Sequence, residues 1–167
     1  ILLFGEYGII QDSKGLSIPY NFYNGGLKSD GNTSAAAIKS NANLKRFITY
    51  LENLQLEQPD LVTFDLATLN QDVAAGMYFD SSIPQGYGVG SSGALVAAIY
   101  DKYAQNKITV LKNMTREKLL QLKNIFSQME SFFHGKSSGL DPLNSYLSIP
   151  ILINSKDNIE ATGIPTQ

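Results

Sequence analysis

The segment Pro84-Gln85-Gly86-Tyr87-Gly88-Val89-Gly90-Ser91-Ser92-Gly93-Ala94-Leu95 constrains the fold of this chain more than any other stretch. Three glycines alternate, two serines follow, and a run of small and apolar residues begins. Glycines so closely spaced predict a loop over residues 84–90, and the residues after them a helix over 91–104. Ala94, Ala97 and Ala98 would let that helix lie close to a sheet. Such a loop suits a phosphate. Glycines let backbone N–H groups approach an anion without a Cβ in the way. The start of the helix adds free N–H donors and the positive end of its dipole. The hydroxyls of Ser91 and Ser92 can reach a phosphate or a magnesium shell. The plainer alternative is a glycine-rich turn before an N-capped helix.

Several better-known loops do not fit. Gly88 to Gly93 spells G-x-G-x-x-G, but a dinucleotide fold needs an acid about 20 residues on to hold the ribose. The sequence there is Ile108-Thr109-Val110-Leu111. The Lys of G-x-x-x-x-G-K-[ST] is missing, and a protein-kinase glycine loop is followed by a strand, not a helix. The serine elbow G-x-S-x-G fails by one residue, because Ala94 stands where its last glycine belongs. A hydrolase reading would use Ser92, His134 and Asp141.

With 167 residues, 43% hydrophobic and 17% charged, the chain suits one soluble domain of ordinary size. A net charge of −2 provides no basic field for nucleic acid or an anionic membrane. Cys is absent, which excludes disulfides and thiolate metal sites and agrees with a cytoplasmic location. His134 is the single histidine, so a zinc site is not expected. The apolar start, residues 1–4, has neither the cationic flank nor the cleavage pattern of a signal peptide.

Residues 1–10 and 16–19 read as strands around a turn at 11–15, and 25–28 as another short strand. Helical spacing of Leu44, Phe47, Ile48, Leu51 and Leu54 predicts a helix over 35–56. A strand is expected over 61–66, a short helix over 68–75 and a strand over 77–83. Leu119, Leu122, Phe126, Met129 and Phe133 predict a helix over 116–133, broken by 135–139. Residues 146–154 read as strand. This mixture implies an α+β domain.

A second constellation is Glu130-Ser131-Phe132-Phe133-His134-Gly135-Lys136-Ser137-Ser138-Gly139-Leu140-Asp141. Glu130 and His134 share a helix face near its C-terminal end. Glu130 sits at the edge of the apolar stripe, where an acid can face a cleft. Two carboxylates near a phosphate site allow one to hold metal and the other to take a proton. The alternatives are a solvated Glu130, an Asp141 that N-caps the next segment ahead of Pro142, a structural His134 and a solvated Lys136.

Together these segments resemble the GHMP kinases, and within them the mevalonate kinase branch. Pro84 to Ser92 resembles the family loop P-x-x-x-G-L-G-S-S, with Val89 in place of Leu. Leu3-Phe4-Gly5-Glu6-Tyr7-Gly8-Ile9-Ile10 resembles the opening strand L-F-G-E-H-A-V-V. Glu130 to Asp141 resembles E-x-x-x-H-G-x-x-S-G-x-D. The resemblance implies an N-terminal domain like ribosomal protein S5 domain 2, using ATP and Mg²⁺ to phosphorylate the C5 hydroxyl of mevalonate. It implies Asp141 as the base and Glu130 with Ser92 at the metal. Pro84, Gly86, Gly88, Val89, Gly90, Ser91 and Ser92 would form the phosphate cradle, with Glu6, Tyr7 and His134 on the acceptor side. Tyr7 stands where mevalonate kinases carry His, and Gly-Glu-Tyr also resembles phosphomevalonate kinases, so that acceptor stays open. A ligand-sensing domain without turnover stays open too. The family's catalytic Lys would precede Ile1, and its C-terminal domain lies outside this chain. A longer parent protein is therefore expected, compatible with a homodimer, whose partners are ATP and a small alcohol.

Overall fold

Apolar residues at helical spacing become the helix Ala35–Glu57 only when something pays the cost of starting it. Ser34 does so, its side chain accepting from the amide of Ala37 at 3.2 Å. The computed structural model describes residues 2–4, 14–19, 25–82, 91–109, 114–155 and 158–161. In chain order the elements are β1 (Leu2–Phe4), β2 (Gly15–Ser17), β3 (Gly25–Lys28), α1 (Ala35–Glu57), α2 (Leu66–Ala74), β4 (Tyr78–Ser81) and α3 (Ser91–Tyr103). They continue with α4 (Arg116–His134), α5 (Leu140–Leu147), β5 (Ile151–Ser155) and β6 (Asn158–Ala161). Four strands form an antiparallel sheet in the order β1-β2-β5-β6, and β3 pairs with β4 separately. The fold is α+β, as the sequence implies. Among the described residues, no helix is long and apolar enough to cross a membrane.

The core runs through all the helices and the sheet. Leu51, Val96, Leu122, Phe126, Leu143 and Ile151 have no exposed surface. Burying each such side chain contributes about 1.5–3 kcal/mol. Two contacts matter most for the site. Phe47 of α1 packs on Phe132 and Phe133 of α4, with ring centroids 5.2 and 5.4 Å away. The Tyr50 hydroxyl donates to the carbonyl of Gln128 at 2.7 Å. These hold the C-terminal half of α4 against α1.

Two local expectations need correction, and one alternative falls away. Residues 61–66 do not form a strand; among them only Phe64 makes an isolated bridge, to Ala104. The cause is Asp65, whose carboxylate accepts from the amide and hydroxyl of Thr68 and starts α2 at Leu66. Residues 146 and 147 are the last turn of α5, and the strand begins only at Ile151. Leu143 and Leu147 lie one turn apart and both bury, and Ser148 then ends the helix in the left-handed conformation. Finally, Asp141 is not the N-cap. Gly139 takes that place, and Asp141 lies inside the first turn.

Candidate active site

Three helix ends meet on one side of the core. Gly93, in the first turn of α3, lies against the first turn of α5. A Cβ there would stand 2.8 Å from Pro142 N, 2.9 Å from Asp141 C and 3.0 Å from Asp141 Cβ. This glycine is where two helices touch through their backbones, and it puts Asp141 beside the start of α3. At Gly93 the close neighbour of α3 is α5, while α3 also packs against β3 of the two-stranded sheet. Both helices begin at this contact, so their positive ends lie together.

Ser92, one residue earlier, reaches the end of α4. Its Oγ donates to Glu130 Oε1 at 2.9 Å and lies 3.0 Å from His134 Nε2. The other carboxylate oxygen, Glu130 Oε2, accepts from Ser137 Oγ. Glu130 is only 4% exposed, so it is not a solvated helix residue. Gly135 ends α4 at a φ of 71° and turns the chain back, so that Ser137 comes within reach of Glu130.

The expected site residues thus fall in different places. Ser92, Glu130 and His134 are in direct contact, Asp141 stands beside Gly93, and Ser91 opens α3. Lys136 is exposed after the end of α4. Pro84, Gly86, Gly88, Val89, Gly90, Glu6 and Tyr7 lie outside the described residues. The Ser92–His134 contact could suggest a hydrolase, but Ser92 has one proton and its hydroxyl donates to Glu130, so the Ser–His pair is not arranged as a nucleophile with its general base.

Sequence reasoning missed three features. Gly93 as a packing contact could have been suspected, because a glycine inside a helix costs about 1 kcal/mol against Ala and invites a reason. Ser137 gave no signal. Neither did Asn144, buried in α5, whose Nδ2 donates to Ser17 Oγ and to the carbonyl of Ile18 at 3.4 Å, tying that helix to β2.

Burial raises the pKa of Glu130; hydrogen bonds from Ser137 and Ser92 oppose this, and the charge of Asp141 adds to it. Asp141 is open to solvent, yet the protein around its carboxyl desolvates it and raises its pKa, with His134 acting in the opposite sense. For Glu130 the raised pKa means the native state binds more protons than the unfolded chain. Its contribution to stability is present below the ordinary carboxylate pKa and is lost as pH rises through the folded value. Glu130→Gln, which carries no charge to bury, is therefore expected to unfold at a higher temperature than wild type at pH 7–8. The gain should vanish near pH 4. Thermal unfolding of both proteins across that range is the measurement, and a gain that does not vary with pH would contradict a buried charge.

The residues present fit a magnesium ion. Mg²⁺ takes oxygen ligands in octahedral geometry, and Ser92 Oγ and Glu130 Oε1 are neighbouring oxygens of that kind, joined here by a hydrogen bond. Among the described residues no three His, Asp or Glu side chains form a cage, but magnesium shared with a nucleotide needs only one or two carboxylates.

A family model, GHMP kinases N terminal domain, matches residues 44–148, well over half of the chain. The chain belongs to the GHMP kinase family. The members are ATP-dependent phosphotransferases acting on small molecules. Ser92, Glu130, His134 and Asp141 of this GHMP kinase all fall inside the matched region. No curated protein and no solved structure matches the chain.

The packing at Gly93 makes a testable link between fold and activity. Gly93→Ala improves helix propensity by about 1 kcal/mol, yet its methyl must push the Asp141–Pro142 backbone away. A displacement near 1 Å at a reacting group can cost about 10²-fold in rate. The expected result is that loss of turnover with little change in thermal unfolding. Unchanged turnover would mean that α5 yields without moving Asp141.

Proposed function

We propose that the complete protein transfers the γ-phosphoryl group of ATP to the C5 hydroxyl of mevalonate, in the cytoplasm, and that this chain supplies the base and the metal-holding carboxylate from an S5-like N-terminal domain. The observation that carries this reading is the meeting of Ser92, Glu130 and Asp141 where α3 and α5 begin and α4 ends. The sequence resemblance to mevalonate kinases at residues 3–10, 84–92 and 130–141 supports the choice of acceptor.

Phosphoryl transfer asks for positioning and charge stabilisation more than for covalent chemistry. The amides at the start of α3, with the glycine loop before them, would hold the phosphate oxygens. Glu130 and Ser92 would hold Mg²⁺, which when bound supplies positive charge to the phosphates. Asp141 would orient the acceptor hydroxyl and take its proton. Its raised pKa makes it a stronger proton acceptor than an ordinary Asp.

The test is a panel of acceptors given to the complete protein with ATP and Mg²⁺. Turnover of mevalonate above every other acceptor is expected. Preference for phosphomevalonate would transfer the assignment to that kinase. ATP binding without turnover on any acceptor would point to a ligand-sensing domain.

A further inference from the structure

We propose that Ser137 is a positioning residue that fixes the Glu130 carboxylate for metal binding and ties it to the turn leading to Asp141. This rests on the reading of Glu130 as the metal-holding carboxylate. In the pattern E-x-x-x-H-G-x-x-S-G-x-D, Ser137 occupies an unspecified place, so the resemblance assigns it nothing. The geometry assigns it three contacts. Its hydroxyl donates to Glu130 Oε2. The same oxygen accepts from the amide of Gly139 at 3.0 Å. Its carbonyl accepts from Ser127 Oγ of α4 at 2.6 Å.

These contacts divide the work around one carboxylate. Ser92 holds Oε1 and Ser137 holds Oε2, so the carboxylate plane cannot turn without breaking a hydrogen bond. Glu is a long side chain with several rotamers, and order at its tip has to be imposed from outside. Ser92, the other proposed metal ligand, is on one carboxylate oxygen and Ser137 on the other, so Ser137 would not compete with Ser92 for the metal. Through Gly139 it also joins the Glu130 carboxylate to the N-cap of α5, two residues before Asp141. One hydroxyl therefore touches both the Glu130 carboxylate and the turn that leads to Asp141.

Ser137 is not what keeps α5 in place. Gly139 is already pressed on the backbone of α4 at Lys123 and Ser127, and the Asp141–Pro142 backbone on Gly93. Loss of the hydroxyl should free the carboxylate while the helices stay packed. Partners that orient a metal ligand typically change metal affinity or activity by about 10–100-fold when removed.

The experiment uses the complete protein with Ser137→Ala and Ser137→Thr, and Glu130→Gln as reference. Mn²⁺ binding in the presence of a non-hydrolysable ATP analogue is read from the free Mn²⁺ resonance, independently of turnover. Ser137→Ala is expected to bind Mn²⁺ about 10–100-fold more weakly, with unfolding still cooperative. Ser137→Thr, which keeps the hydroxyl, should return to within a few-fold of wild type. If Ser137→Ala does not fold, Ser137→Cys carries the same expectation, since a thiol is close in size and a weak donor. Wild-type Mn²⁺ affinity in Ser137→Ala overturns the proposal, and so does a Thr variant as defective as the Ala variant. If Glu130→Gln weakens Mn²⁺ and Ser137→Ala does not, the role of Ser137 alone fails. If neither weakens it, the metal reading of Glu130 fails with it.

Discussion

Asp141→Asn in the complete protein is expected to lower turnover by about 10²–10⁴-fold, the usual cost of removing a general base, while ATP affinity hardly changes. The substitution keeps the shape of the side chain, so the close contact between α5 and Gly93 is preserved. What disappears is the proposed proton acceptor and one negative charge. ATP affinity can rise slightly, because a carboxylate near the γ-phosphate repels it. The pH profile offers a second reading. Asp141 must be ionised to accept a proton, and its pKa is raised chiefly by desolvation. Wild-type kcat/KM should therefore fall as pH drops through a value above the ordinary Asp range, and the Asn variant should lose that acid limb. Single-turnover rates and calorimetric ATP binding separate the outcomes. Turnover within a few-fold of wild type would remove Asp141 from the role of base. Joint collapse of turnover and ATP affinity would make it a structural residue.

Gly139→Ala should be the most damaging small substitution for the fold. Gly139 has a φ of 74°, a conformation that costs a residue with a side chain about 1–2 kcal/mol. A Cβ there would stand 2.2 Å from the carbonyl oxygen of Lys123 and 2.7 Å from the amide of Ser127. Both are helix backbone, which cannot swing aside as a side chain can, and overpacking of this kind adds about 1–3 kcal/mol. The expected loss is about 2–5 kcal/mol in denaturant unfolding. Gly135 is the internal control. Its φ is 71°, but nothing lies within 4 Å of its would-be Cβ, so Gly135→Ala should cost only about 1–2 kcal/mol. Equal penalties at the two glycines would show that the turn is not pressed on α4 as described.

The sequence by itself determined the α+β class and the long helices, because these depend on local signals; the chemical side chains it could only nominate. Periodicity over residues 35–56 and 116–133 placed α1 and α4 to within a residue, and the break after His134 was legible in Gly135. Short elements were less legible. Residues 61–66 carry a strand composition that the Asp65 cap overrides, and α5 is eight residues long with a glycine cap and no capping side chain. The spacing of Glu130, His134 and Asp141 marked them as a group but could not say how they meet. Only the tertiary structure decided that Glu130 is buried between Ser92 and Ser137, that Gly93 exists to let α5 approach α3, and that Ser137 joins the carboxylate to the Asp141 turn. The physical reason is sequence distance. Ser92 and Glu130 are 38 residues apart, and contact between them depends on how three helices pack, which no local pattern of either segment encodes.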